Sequence, residues 1–147
     1  MYMFAQRVSF SEDITVTKEI ISSISLFRSL RPEQIQTMLS VMQVRYCRQG
    51  ARIFSAGDKP REIYVVLSGR VDFVTERAGV HQIQKAYEVG ATFGEPHFTD
   101  ANCQIGTAIA STIDVELLIL SDDVMSDLQR RKPKLSATLM QNLNVGV

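Results

Sequence analysis

A mainly β protein with flanking helices, built around a double-stranded β-helix (jelly-roll) barrel, is the fold class that three features of the sequence predict. The first is punctuation. Between Arg45 and Leu120, short runs rich in β-branched and aromatic residues are divided by Gly50, Gly57-Asp58, Ser68-Gly69, Ala78-Gly79 and Gly90, a spacing that argues a sandwich, jelly roll or barrel. The second is that Tyr64–Leu67 and Leu117–Leu120 are apolar without alternation, as central strands buried on both faces are. The third is that the apolar period lengthens to helical spacing before Arg45 and after Leu120, which adds two helices at each end.

The elements follow in order. Residues 1–14 mix types and carry Ser9, Ser11, Glu12 and Asp13, so they read as a surface arm, with residues 15–147 as one domain. From Thr17, the positions Ile20, Ile21, Ile24 and Phe27 give a short helix with one buried stripe. Pro32 opens the second helix, because a proline at the first helical position gives up an N–H that has no partner there anyway. Its stripe of Ile35, Met38, Leu39 and Met42 reads as core-facing rather than as a soft partner-binding surface. Strands are then expected over 45–48, 51–55, 62–67, 70–76, 82–87, 104–111 and 115–120. Ser121 is a good N-cap for the third helix, with Asp122 and Asp123 at its positive end and Arg130, Arg131 and Lys132 at its negative end. Pro133 opens the last helix, in which Leu135, Leu139 and Leu143 fall on one face.

Composition narrows the function. The chain has 147 residues, 45% hydrophobic and 22% charged, enough for one domain with a sizeable core. Sixteen basic and sixteen acidic side chains balance, so nothing in the net charge calls for a polyanionic partner. No apolar run is long enough to span a bilayer, and Met1–Arg7 lacks the apolar core of a secretion signal, so the expectation is a cytoplasmic protein without membrane contact. Cys47 and Cys103 lie far apart and form no Cys-x-x-Cys, which suits reduced thiols.

The stretch Phe93-Gly94-Glu95-Pro96-His97, followed by Gln104-Ile105-Gly106, carries the candidate site. Backbone N–H groups around a glycine can line up on an anion, and a carboxylate beside it can accept from hydroxyls. With Phe54–Asp58, Ile63–Val71 and Glu88-Val89-Gly90 in the same order and spacing, this stretch resembles the phosphate-binding cassette of the cyclic nucleotide-binding domain family. That family includes the catabolite activator protein and the regulatory subunits of protein kinase A. The resemblance runs over roughly residues 20–147. It implies a barrel of the cyclic nucleotide-binding type, with Glu95 matching the glutamate that takes the ribose hydroxyl and Gly94 its neighbour. The ligand-binding set it implies is Phe93, Gly94, Glu95, His97, Gln104 and Ile105.

Four positions depart from that pattern, and Gln104 is the most informative of them. Gln104 stands where the family has its phosphate-binding arginine, nine residues after the glutamate. A glutamine donates neutral hydrogen bonds but brings neither charge nor a bidentate fork. Leaving a partly buried phosphate without its charged partner costs about 2–5 kcal/mol, or roughly 30- to several-thousand-fold in affinity. Pro96 removes a backbone donor, His97 adds a titratable ring and Ile105 a β-branched chain, so weak binding of cAMP or cGMP is expected. Arg70 and Lys85 are further cations that spacing cannot place.

Three functions compete on these residues. A non-enzymatic ligand-sensing regulatory module is the leading expectation, with no cofactor and a cyclic nucleotide as ligand. The alternative is a degenerate module acting in protein association, or the sensor part of a larger regulator. A cupin-like metalloenzyme is disfavoured because the chain holds only His81 and His97 and no His-x-His pair. No stretch after Leu143 supplies a recognition helix, so direct nucleic-acid binding is not expected. The leucine face of the last helix is a candidate homodimer surface, with burial against its own barrel as the other reading.

Overall fold

The computed structural model describes residues 5–7, 14–94 and 103–145. Two antiparallel sheets face each other as a jelly roll. One sheet has the order β1-β2-β9-β4-β7, from Ala5–Arg7, Gln43–Arg48, Asp114–Ser121, Glu62–Ser68 and Thr92–Phe93. The other has the order β3-β8-β5-β6, from Arg52–Phe54, Thr107–Ala110, Val71–Arg77 and Val80–Tyr87. Helices α1 (Ile14–Ser23) and α2 (Pro32–Val41) precede the barrel, with a 3-10 turn, Ser25–Phe27, between them. Helices α3 (Asp122–Arg131) and α4 (Pro133–Val145) follow it.

The two continuous apolar runs explain the layering. β9 and β4 are neighbours in the middle of the five-stranded sheet, in the register Tyr64↔Ile119, Val65↔Leu118 and Val66↔Leu117. Side chains alternate along a strand, so each run serves two cores. Ile63, Val65, Leu118 and Leu120 join Leu26, Met38, Met125 and Leu139 in a layer between sheet and helices. Tyr64, Val66, Leu117 and Ile119 join Phe54, Val71, Ala108 and Phe93 between the two sheets. An alternating strand would have left one of these layers polar.

Leu135, Leu139 and Leu143 are buried in the first layer. Their face is therefore occupied within the chain, and the homodimer expectation loses the surface it was built on. Beside them, the Asn142 side-chain amide donates 2.7 Å hydrogen bonds to the carbonyls of both Leu26 and Arg28, tying α4 to the 3-10 turn. Asn142→Ala leaves those carbonyls without this donor and is expected to lower unfolding free energy by about 1–2 kcal/mol in urea titrations. Thr138→Ala, which removes only an exposed bond to the Lys134 carbonyl, should shift it by less than about 0.5 kcal/mol.

The predicted Ser121 cap holds, its hydroxyl accepting from the Val124 N–H at 3.2 Å. Pro32 opens α2 as expected, and there the Gln34 side chain accepts from the Arg31 N–H at 2.9 Å, a cap that the sequence reading did not name. Several strand ends shift by one or two residues, and larger differences from the sequence reading occur at three places. Helix α1 begins at Ile14 rather than Thr17, and Ala5–Arg7, within the expected arm, pairs with β2 as an edge strand. The strand expected over 104–111 is only Thr107–Ala110, because the Gln104 backbone is bonded to a turn and not to a neighbouring strand. β7, with two residues, is too short to show any period.

Candidate ligand-binding site

Five aromatic rings meet at the end of the barrel interior where Gly94 begins the candidate stretch. Phe93 is 1% exposed and stacks on Tyr64 at 5.1 Å and on Tyr87 at 4.9 Å, each tilted by 19°. Phe54 closes against Tyr64, Phe73 and Phe93 at 5.9–6.3 Å. Gly94 lies on this floor with φ +85°, and a Cβ there would sit 2.8 Å from Tyr64 Cδ2 and 3.2 Å from the Glu62 carbonyl. Both the left-handed backbone and the close approach to a buried ring call for glycine.

Tyr64 is itself fixed from below. Its hydroxyl donates to Glu62 Oε1 at 2.7 Å, and Arg45 reaches across β9 to pair with Glu62 Oε2 at 3.2 Å. Burial, reinforced by the neighbouring Glu62 carboxylate, pushes the Tyr64 hydroxyl well above the usual tyrosine range. It therefore stays a neutral donor across physiological pH. Sequence reading missed this network. Its signal was a charged residue, Glu62, at an inward position two residues before Tyr64 on one strand face.

On the other flank, Gln104 is 6% exposed and its backbone is bracketed by the Gly57-Asp58 turn. Its N–H donates to the Asp58 carbonyl at 2.7 Å, and its carbonyl accepts from the Gly57 N–H at 2.8 Å. Asp58 in turn accepts from the Ser55 N–H at 2.9 Å, and Thr107 accepts from the Ala56 N–H at 3.0 Å. The predicted Phe54–Asp58 motif thus serves to hold Gln104 just before the start of β8.

The six sequence-predicted residues fare differently. Phe93 is enclosed in the core, where its side chain supports Gly94. Gln104 is buried and bracketed, and Ile105 is 68% exposed. Glu95 and His97 lie outside the described residues. Of the two further cations, Arg70 is committed elsewhere, 3.3 Å from Asp72 and 3.1 Å from the Ser111 hydroxyl. Lys85 stands 5.4 Å over the Tyr87 ring. His81 pairs with Glu76 on the β5–β6 hairpin, and no cluster of metal-ligating side chains occurs among the described residues. Burial raises the Cys47 thiol above its ordinary value, which suits a core residue rather than a nucleophile. No helix among the described residues is long and apolar enough to cross a membrane.

Comparisons with known proteins agree with this geometry. The sequence profile of the cyclic nucleotide-binding domain matches residues 44–132, and the chain belongs to that family. It is 35% identical over 115 residues to the cyclic AMP receptor protein of Thermus thermophilus, covering 78% of this chain and 53% of that protein. It is 23% identical over 125 residues to the potassium channel AKT6 of Arabidopsis thaliana, covering 85% of this chain and 14% of the channel. The chain thus spans about half or less of the curated relatives it matches. A solved cyclic nucleotide-binding domain from Methylobacillus flagellatus superposes with a TM-score of 0.79 at 21% identity, over 96% of this chain and 79% of that one; at that identity the likeness speaks for the fold alone.

Proposed function

We propose that this domain is a non-enzymatic sensor whose barrel takes a cyclic nucleotide with low affinity, and that Gln104 sets that affinity. The observation that carries the reading is the placement of Gln104. It is buried and bracketed at the start of β8, on one flank of residues 95–102, while Gly94 lies on its aromatic floor on the other. A side chain held there meets the ligand's phosphate with a neutral amide. Donors of that kind keep orientation but supply no charge. In the proposed complex Glu95 accepts from the ribose hydroxyls, and the relatives' own names, a cyclic AMP receptor protein and a channel, suggest that the domain reports to a larger regulator.

Association without a nucleotide is the competing reading. Ile105 favours it, since an isoleucine 68% exposed beside the candidate site offers apolar surface to a protein partner. Thermal unfolding separates the two. A ligand that binds only the folded state raises the melting temperature, so millimolar cAMP or cGMP is expected to stabilise the wild type and to lose that effect in Glu95→Ala. Stabilisation by neither nucleotide favours the association reading.

A further inference from the structure

Lys85 lies directly opposite Phe73 in the β5–β6 ladder, and opposed residues in such a ladder share a face. Phe73 packs on the barrel interior, as does Tyr87, two residues beyond Lys85. Lys85 therefore projects from the inner face of the four-stranded sheet at its edge, where it is exposed. Its Nζ sits 5.4 Å from the centre of the Tyr87 ring, and that ring stacks on Phe93, the residue before Gly94. On the far side of Phe73 lies β8, with Ala108 in register. The Phe73 ring fills the space beside Gly106, where a Cβ would come within 2.6 Å of Phe73 Cζ. Gly106 is two residues beyond Gln104. One row across the sheet thus joins a cation to the segment where charge is missing.

Lys85 is also uncommitted. Arg45 is paired with Glu62 and Arg70 with Asp72, whereas Lys85 makes no ion pair among the described residues. Its contact with the Tyr87 ring is of the kind that contributes about 0.5–1 kcal/mol when exposed. An ammonium on a four-carbon stem can leave such a contact for a stronger one with an anion.

We propose that Lys85 supplies the positive charge for the ligand's phosphate that Gln104 cannot. The proposal rests on the nucleotide reading above. A lysine gives a point charge rather than a bidentate fork, so the complex keeps its preference for an anion while remaining weak and sensitive to salt.

Calorimetric titration with cAMP tests this in the wild type, Lys85→Met and Lys85→Arg, each repeated with Gln104→Arg. Lys85→Met should weaken binding about tenfold and flatten the dependence of Kd on KCl. Lys85→Arg should restore both, and the loss should shrink when Gln104→Arg provides a second cation. A wild type that binds while Lys85→Met changes neither affinity nor salt dependence overturns the role of Lys85 and leaves the nucleotide reading standing. A loss that Lys85→Arg does not restore, with salt dependence unaltered, marks lost packing on Tyr87 and overturns it too. Binding seen only with Gln104→Arg means that Lys85 brings no usable charge. Absence of binding by the wild type and by Gln104→Arg alike, to cAMP and to cGMP, removes both proposals together.

Discussion

Gln104→Arg is expected to tighten cAMP binding by about 30-fold or more, the lower end of what a missing charged partner costs a partly buried phosphate. The reason lies in how Gln104 is held. Both of its backbone groups are bonded to the Gly57-Asp58 turn, at 2.7 and 2.8 Å, so a substitution changes the side chain without releasing the segment. The position is also buried, with Gln104 6% exposed, so a guanidinium there faces less water than at the surface. Charge-assisted, bidentate bonds are strongest under those conditions. Isothermal titration of the two proteins side by side measures the effect. Equal affinities would mean that the Gln104 side chain does not meet the phosphate.

Phe93→Ala is expected to destabilise the fold by about 3–5 kcal/mol, the range for emptying an aromatic site in a core. Phe93 is the ring that joins Tyr64 of one sheet to Tyr87 of the other, and it touches Phe54 as well. Neighbours that are themselves stacked cannot collapse freely into the space. A loss of that size is a large share of the roughly 5–15 kcal/mol that keeps a domain folded. Urea unfolding checks it against Ile113→Ala, where a side chain 74% exposed should matter by less than about 0.5 kcal/mol. Comparable losses from the two would contradict the placement of Phe93.

Much of this architecture was legible because it follows from periodicity. The unbroken apolar runs at Tyr64–Leu67 and Leu117–Leu120 named the two strands that separate the cores, and the leucines of α4 named one apolar face, though not whether a second copy or the chain's own barrel covers it. What stayed hidden depends on partners far apart in the chain. Nothing in the neighbourhood of Arg45 points to Glu62, and the bonds from Asn142 to Leu26 and Arg28 span more than a hundred residues. The site was half legible. Its glycine and its missing arginine are visible as residue types at a spacing. The aromatic floor under Gly94 and the inward aim of Lys85 depend on strand register, which a one-residue slip would reverse.

The most direct test of a weak nucleotide sensor is an NMR titration of the wild-type protein, labelled on its amides, with cAMP and cGMP up to about 5 mM, a range that covers Kd values near millimolar. Saturable shifts at Gly94, Gln104 and Gly106, reaching half-maximum near millimolar with at least one nucleotide, are the predicted result. Amides that stay in place throughout would contradict nucleotide sensing, and saturation at micromolar concentration would contradict the part given to Gln104.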